Sequence, residues 1–344
     1  MRTEMKAHDA PQRDPESGAA PDSQRRLQGG IDEAGLGPIL GPLVVGGMLI
    51  AGASGTSPWD LLADHYCKKP VTRQDRRIRV DDSKKVKTGA HGHRELERTV
   101  LSLWYAVHGQ LPANVGDLLR SNLGATDFTR YPWYADLEAV ALPRWQERDG
   151  LELAAHVAAK CFARSGLEAL FYGFHLVDVE RYNASIREFD NKGRTLFEAG
   201  VPVLRACLET AERYSAQVAT AQLRIIADRH GGRGHYAAQL ARALPGTQVT
   251  TIAEAASLSR YRLGQSDEIV FTENGEDRAF PCAAASCLAK YVRELCIERL
   301  NAYFTAKKEG LRPTAGYWTD GKRFLDDLGD LRAKQPEDRL VRVR

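Results

Sequence analysis

Residues 29–52 read GGIDEAGLGPILGPLVVGGMLIAG, and no other stretch constrains the fold of this chain as strongly. Two runs that suit β-strands flank a turn rich in glycine and proline. The second run, LVVGGMLIAG, is apolar throughout, which is typical of a buried strand. The stretch therefore predicts a β-hairpin that starts a folded domain.

Asp32 and Glu33 stand side by side at the end of the first predicted strand. Adjacent residues of a regular strand point to opposite faces, so these two can share a site only if the backbone breaks its pleat, and Gly35 and Gly37 make such a break easy. Two carboxylates held together repel each other unless a cation lies between them. Mg²⁺ prefers oxygen ligands and needs no Cys or His. The alternative is a strand-end Asp that caps a turn, with an exposed Glu beside it.

Two further carboxylates are candidates for the same site. Asp228 ends the short apolar strand LRIIAD and precedes the loop RHGGRG, a position where open α/β sheets bind ligands, although it would also suit a helix N-cap. Glu294 follows Lys290 by four residues on one face of a predicted helix. The small residues 283–286 would let this helix approach a sheet closely. The alternative for Glu294 is an ordinary surface pair with Lys290.

The remaining pattern indicates an α/β protein. Strand-like LEALFYGFHLVDV, helix-like KGRTLFEAGVPVLRACLETAERY and strand-like LRIIAD follow one another, an order that favours parallel strands. Apolar residues from Leu96 to Val107 recur at helical spacing and predict a helix that ends near Gly109. Another long helix is predicted from about Pro281 to Lys308. Residues 110–167 read as a helical insertion, whose aromatic cluster at 131–134 either forms its own small core or stacks on nucleic-acid bases.

Composition excludes several classes of protein. An apolar fraction of 43% and a charged fraction of 27% are ordinary for globular chains, and no apolar run approaches the length of a membrane span. Residues 1–28 lack a secretion signal and read as a disordered tail. The six cysteines form no C-x-x-C pair, so neither a zinc site nor a disulfide framework is expected, and we expect a cytoplasmic protein. A net charge of +3, with basic runs at 68–80 and 83–87, permits a nucleic-acid partner, although each run alone would suit a solvated face.

Several motifs, taken in order, resemble the series that marks the type 2 ribonucleases H, the ribonuclease HII and HIII family. They are GIDEAGLGPILGPLVVGG, DDSKK, VERYN, IIAD, AAASCLAKYVRE and GYWT, and they extend over most of residues 29–325. The resemblance implies an α/β ribonuclease H-like fold, with a central mixed sheet flanked by helices. The domain would occupy 29–330, with insertions at about 51–80 and 110–167, and residues 331–344 would form a C-terminal tail.

The resemblance also implies a metal-dependent endoribonuclease that hydrolyses RNA paired with or joined to DNA by a two-metal mechanism, using Mg²⁺ or Mn²⁺. Its expected partner is an RNA/DNA hybrid or a ribonucleotide-containing duplex, with no membrane partner and an unknown protein partner. Carried over motif by motif, the catalytic and metal-binding carboxylates are Asp32, Glu33, Asp228 and Glu294. The implied substrate-binding residues are Gly35, Leu36, Gly37, Ser83, Lys84, Lys85, Arg293, Tyr317 and Thr319. Asn183 of VERYN is assigned to structure.

The chain departs from the family pattern at Leu36, where ribonuclease HII has an arginine that helps to recognise the junction after a single ribonucleotide. The HIII subtype also lacks that arginine, which points to cleavage within longer RNA of hybrids, although residues 1–28 are too few for the N-terminal domain of HIII. Lys322 stands where the family commonly has a histidine. These departures leave an alternative: a catalytically weak or inactive relative that binds nucleic acid as a module.

Overall fold

A computed structural model describes residues 25–343, apart from 54, 73, 219, 231, 232 and 256. The predicted disordered tail therefore lies outside the described residues as far as residue 24. Its last four residues do not belong to a tail, because the first strand begins at Arg25 and pairs from there with two neighbouring strands. The side chain of Leu27 is buried in the core, but its neighbours in the sequence are mostly polar and did not indicate a strand.

A seven-stranded sheet forms the centre of the molecule, in the order β5-β2-β1-β6-β9-β8-β7. Strands β1 and β2 form the predicted hairpin, β5 pairs antiparallel with β2, and β6 and β9 run parallel to β1. The predicted α/β class, with a central mixed sheet flanked by helices, is confirmed. The strands of this sheet are β1 (Arg25–Ala34), β2 (Leu43–Ala53), β5 (Glu168–Val177), β6 (Thr220–Asp228), β7 (Val249–Glu254), β8 (Leu258–Leu263) and β9 (Asp267–Thr272), and β3 (Tyr66–Cys67) pairs with β4 (Ile78–Arg79) in a small separate sheet.

Helices cover both faces of the sheet. The predicted helix that ends near Gly109 is α3, which Gly109 closes in a left-handed conformation, and the predicted long helix near the C-terminus is α10. The helices are α1 (Pro58–Leu61), α2 (Ser83–Val86), α3 (Gly92–His108), α4 (Val115–Arg120), α5 (Arg148–Arg164), α6 (Val179–Phe189), α7 (Lys192–Ser215), α8 (Ala237–Ala243), α9 (Gly275–Arg278), α10 (Phe280–Thr305), α11 (Trp318–Leu328), α12 (Asp330–Ala333) and α13 (Glu337–Leu340). Short 3₁₀ turns occupy Phe128–Arg130, Pro132–Tyr134 and Leu137–Ala139.

Strand β2 is apolar throughout because it is buried on both faces. Val44, Met48 and Ile50 belong to the core that β2 shares with α3, α5 and α10. The alternate positions Val45 and Leu49 belong to the second core, under α7 and α8. A period of two therefore places each half of the apolar run in a different core.

Helix α10 lies unusually close to the sheet. A Cβ atom on Gly30 would fall 2.0 Å from the backbone nitrogen of Cys282, and one on Gly46 would fall 2.3 Å from the carbonyl oxygen of Ala285. The expectation that the small residues 283–286 permit a close approach is thus confirmed, and glycines on β1 and β2 supply the other side of the contact.

The expected insertions pack onto this framework. Strand β2 extends to Ala53, so residues 51–53 of the first expected insertion belong to the sheet. In the second insertion, Tyr131, Trp133 and Tyr134 are buried, and the ring of Trp133 lies 6.0 Å from that of Phe304 on α10. The aromatic cluster therefore forms part of the core, not a surface for base stacking.

Residues 331–343 do not form the predicted tail but pack on the chain after β1. Leu340 is buried, Val341 forms a bridge with Leu40, and the amide of Arg342 donates to the carbonyl oxygen of Ile39 at 2.9 Å. Asn183 holds this segment by donating to the carbonyl of Val341 at 2.8 Å, which confirms its structural assignment. Because residues 331–344 are mostly polar and basic, the sequence did not predict these contacts. In the part of the chain that the structure describes, no helix has the length and apolarity needed to cross a membrane.

We predict that Gly30→Ala lowers the free energy of unfolding by about 3 kcal/mol, because the added methyl group meets backbone atoms of α10 that cannot move independently. Chemical denaturation of the two proteins measures this loss. Gly200→Ala on α7 is the control, since a Cβ there meets no described atom within 4 Å and alanine favours a helix by about 1 kcal/mol. Equal stability of Gly30→Ala and the wild type would contradict the close packing of β1 and α10.

Candidate active site

Three carboxylates meet where two parallel strands end. Ile31 of β1 is in register with Ala227 of β6, so Asp32 and Asp228 are the next residues on neighbouring strands. Carboxylate oxygens of Asp32, Glu33 and Asp228 all lie within 4.8 Å of one another, and all three residues are half-buried. We call this group the carboxylate cluster. It brings together three of the four carboxylates predicted from the sequence.

Asp32 and Glu33 share the cluster without interrupting the strand, contrary to the expected break in the pleat. Strand β1 keeps its regular pairing with β2 through Ala34. The Asp32 carboxylate instead accepts a hydrogen bond from the backbone N–H of Glu33 at 2.8 Å, so it is turned toward its neighbour. Gly35, with φ of +97°, redirects the chain only after both carboxylates have been placed.

The negative charges of the carboxylate cluster are poorly compensated. Burial, followed by the charges of Glu33 and Asp228, raises the pKa of Asp32 well above its usual range. Burial and the charge of Asp228 raise the pKa of Glu33 to about 7, and burial also raises the pKa of Asp228. Exposed Lys84 opposes these shifts at Glu33 and Asp228. A bound cation would relieve the remaining repulsion.

Glu276 is a further carboxylate near the cluster, and the sequence reasoning missed it. It lies half-buried on α9, next to Gly275, whose N–H approaches Asp228 Oδ1 at 3.4 Å. Burial, followed by the negative charge of Asp228, raises the pKa of Glu276. Strand β9 runs parallel to β6 with Thr272 opposite Asp228, so the chain after β9 emerges at the same edge of the sheet. Asp228 was located because ligands bind at the carboxyl ends of parallel strands. The same rule, applied to β9, would have indicated the acidic segment 273–277.

Glu294 is not part of the carboxylate cluster. Its carboxylate binds Lys87 Nζ at 2.6 Å and Lys290 Nζ at 2.7 Å, and His93 Nε2 lies 3.2 Å away. Burial works against its ionisation, yet the hydrogen bond with His93 and the two lysine charges hold the pKa of Glu294 well below its usual range. The two lysines compensate its negative charge, and Glu294 does not belong to the group of carboxylates that could hold a metal ion.

The glycine turn after β1 is fixed from below by two arginines. A Cβ on Gly35 would lie 2.7 Å from the Arg293 side chain, and the Arg342 guanidinium donates to the carbonyl of Gly35. Leu36 packs its side chain on the core beneath α7. Gly37 is exposed, and a Cβ there would meet no described heavy atom within 4 Å. The turn therefore leaves its outer backbone accessible at Gly37.

The three residues of the DSKK motif that were predicted to bind substrate have different surroundings. Ser83 is buried and accepts a hydrogen bond from Ser286 Oγ at 3.1 Å, which fastens α2 to α10. Lys85 pairs with Asp81 at 3.2 Å. Lys84 is exposed and forms no ion pair with the residues that the structure describes, so its charge is available beside the carboxylate cluster.

Arg293 and Tyr317 link the glycine turn to the start of α11. Arg293 is 1% exposed, and its guanidinium donates to the carbonyls of Leu40 at 3.3 Å and Ala315 at 3.1 Å. The ring of Tyr317 lies 5.7 Å from that guanidinium and is 46% exposed, and Thr319 is exposed as well. This burial suits a residue that orients its neighbours better than one that contacts phosphate, the role implied for Arg293 by the resemblance.

No protein-family model matches this chain, and no curated protein matches it. Among solved structures, it is similar to the ribonuclease HII of Archaeoglobus fulgidus in a complex with PCNA, with 16% identity, 92% of this chain and 94% of that chain covered, and a TM-score of 0.39. It is also similar to ribonuclease H2 from Pyrococcus horikoshii (14% identity, 91% and 92% covered, TM-score 0.35). A third is Bst ribonuclease HIII in complex with Mn²⁺ (13% identity, 96% and 72% covered, TM-score 0.37).

We predict that stability without metal depends on pH through Glu33. Because folding raises its pKa from 4.5 to about 7, the stability that this group contributes is complete below about pH 4.5 and is lost as the pH rises toward 7. Unfolding in EDTA should therefore show the wild type losing stability relative to Glu33→Gln over this range, and Mn²⁺ should reduce the loss. Exposed Glu209→Gln on α7 is the control. Parallel profiles for wild type and Glu33→Gln would contradict the repulsion within the cluster.

Proposed function

We propose that this chain is a metal-dependent endoribonuclease that hydrolyses the RNA strand of RNA/DNA hybrids. The observation that carries this proposal is the carboxylate cluster, in which oxygens of Asp32, Glu33 and Asp228 lie within 4.8 Å of one another at the carboxyl ends of β1 and β6. The motif order that contains these residues resembles that of the type 2 ribonucleases H and supplies the substrate class.

The donor set fits Mg²⁺ or Mn²⁺. The cluster offers only carboxylate oxygens, which hard divalent cations prefer, and its raised pKa values indicate charge that a cation would neutralise. We assign Asp32, Glu33 and Asp228 as metal ligands and Glu276 as a fourth carboxylate in place of Glu294. When bound, two divalent ions supply an activated water for in-line attack and stabilise the leaving 3′ oxygen.

Residues around the cluster would bind and orient the duplex. Exposed Lys84 is placed to contact a phosphate, and Lys85 would contribute from its pair with Asp81. The open backbone at Gly37 allows a ribose 2′-OH, the atom that distinguishes RNA from DNA, to approach the glycine turn. The exposed ring of Tyr317 and the hydroxyl of Thr319 lie on the same α11 segment and would contact the sugar. Ser83 and Arg293 would act indirectly, by holding α2 and the turn.

Leu36 favours RNA/DNA hybrids with longer RNA as the substrate. Its side chain packs on the core and brings no positive charge to the glycine turn. A contact that reads the junction after a single ribonucleotide is therefore absent from this position. We expect cleavage of an RNA/DNA hybrid to exceed cleavage of DNA with one embedded ribonucleotide.

The test of this function uses three end-labelled duplexes with Mg²⁺ or Mn²⁺: an RNA/DNA hybrid, DNA with one ribonucleotide, and plain DNA. We predict cleavage of the hybrid, and at least a 1,000-fold loss of kcat, or about 4 kcal/mol of transition-state stabilisation, in Asp228→Asn. Circular dichroism should show that this variant folds. Failure of the wild type to cleave any duplex in either metal would favour the alternative of a nucleic-acid-binding module.

We predict that Glu276→Gln lowers kcat by about 100-fold and raises the Mn²⁺ concentration needed for half-maximal activity, because it removes a ligand. Glu209→Gln on α7 is the control, since its side chain is exposed and forms no ion pair with a described residue. Glu294→Gln should keep the metal dependence but lower the free energy of unfolding by about 3 kcal/mol, because it leaves Lys87 and Lys290 without their partner. Metal titrations and chemical denaturation separate the two effects. A changed metal dependence in Glu294→Gln, with an unchanged one in Glu276→Gln, would overturn the assignment.

A further inference from the structure

The two insertions form a basic groove away from the carboxylate cluster. A cavity of about 470 Å³ is lined by Arg76 of the first insertion, Arg94 and Arg98 of α3, and Trp145 of the second insertion. We call these four residues the arginine groove. A neighbouring cavity of about 460 Å³ shares Arg76 and Arg98, so the depression continues across the surface.

The positive charge of the arginine groove is largely uncompensated. Arg76 and Arg94 are exposed and form no ion pair with any described residue. Arg98 donates to the backbone carbonyl of Arg76 at 2.7 Å, a contact that fixes its position without neutralising its charge. Among the residues that line the 470 Å³ cavity, the single acidic residue is Glu147, against three arginines. The groove thus presents a net positive surface to an anionic partner.

The groove is rigidly mounted. Glu97 of α3 is fully buried. Its carboxylate accepts hydrogen bonds from the backbone N–H groups of Arg144 at 2.5 Å and Trp145 at 2.8 Å. It also accepts the hydroxyl of Tyr291 on α10 at 3.0 Å. The second insertion is therefore fastened to α3 and α10 at Trp145, which fixes the position of one side of the groove.

A continuous series of contacts leads from the groove toward the carboxylate cluster. Trp145 stacks on His93 with ring centroids 4.7 Å apart, and His93 Nε2 lies 3.2 Å from the Glu294 carboxylate. Glu294 in turn binds Lys87, which directly follows α2, the helix that carries Lys84 beside the cluster. Glu294 thus anchors basic residues between the two sites, which gives it a role that is not metal binding.

We propose that the arginine groove binds the phosphate backbone of the same nucleic-acid duplex that occupies the carboxylate cluster. This inference rests on the proposed function and extends it, because it assigns the two insertions to substrate binding. Guanidinium groups pair with phosphate oxygens independently of base sequence. The groove therefore adds affinity and salt dependence for long duplexes, while a duplex that spans only the cluster does not reach it.

The test is binding of labelled RNA/DNA hybrids of about 24 and about 8 base pairs, measured by fluorescence anisotropy at several salt concentrations. Asp228→Asn serves as the parent protein, so that no substrate is cleaved. Arg76→Gln/Arg94→Gln is made in this parent, since both side chains are exposed and neither forms an ion pair or a hydrogen bond with a described residue. With two phosphate contacts removed, the slope of log K against log salt should fall by about 2, and the long duplex should bind about 30-fold more weakly near 0.1 M salt.

The short duplex should bind equally to both proteins. The control is Arg242→Gln/Arg262→Gln, which removes the same charge from exposed positions on α8 and β8 and should change neither the slope nor the affinity. Unchanged binding of the long duplex by the groove variant would overturn the inference, and a protein would then be the better candidate occupant. Failure of the proposed function looks different: the wild type would cleave no duplex, while the groove variant would still bind the long duplex more weakly.

Discussion

Three mutually repelling carboxylates are held together at the ends of β1 and β6, and the organisation of the site depends on this constraint. Parallel pairing places Asp32 beside Asp228, and Glu33 joins them because the Asp32 side chain bends toward its neighbour's amide. Burial and repulsion together raise their pKa values. Such an arrangement costs stability in the absence of a cation, so the rest of the fold has to enforce it.

Helix α10 provides much of that enforcement. Its first turns pack on Gly30 of β1 with no space for a side chain, and its Ser286 fastens the α2 segment that carries Lys84. Two turns further on, Arg293 supports the glycine turn and the segment that carries Tyr317. Glu294, the next residue, forms ion pairs with Lys87 and Lys290 between the cluster and the arginine groove. One helix thus fixes the relative positions of the cluster, the turn and the basic surface.

The sequence revealed those parts of the site that depend on local position. Asp32 lies just before the glycine turn that follows β1, and Asp228 ends the apolar run of β6. The small residues of α10 indicated its close packing. Glu276 was missed because its place beside Asp228 follows from the parallel pairing of β6 and β9, which links distant segments. The ion pairs of Glu294 were not foreseen because Lys87 and His93, its partners, lie about two hundred residues away in the chain. The C-terminal segment was read as a tail because its burial concerns a few residues within a polar run.

The most direct measurement of the central claim is Mn²⁺ binding, followed through the electron paramagnetic resonance signal of free Mn²⁺, with wild type, Asp32→Asn and Glu294→Gln compared at neutral pH. If the carboxylate cluster is the metal site, the wild type and Glu294→Gln remove Mn²⁺ from solution with similar affinity, and Asp32→Asn binds it at least about 10-fold more weakly. Equal binding by Asp32→Asn and the wild type, or loss of binding in folded Glu294→Gln alone, would contradict the account.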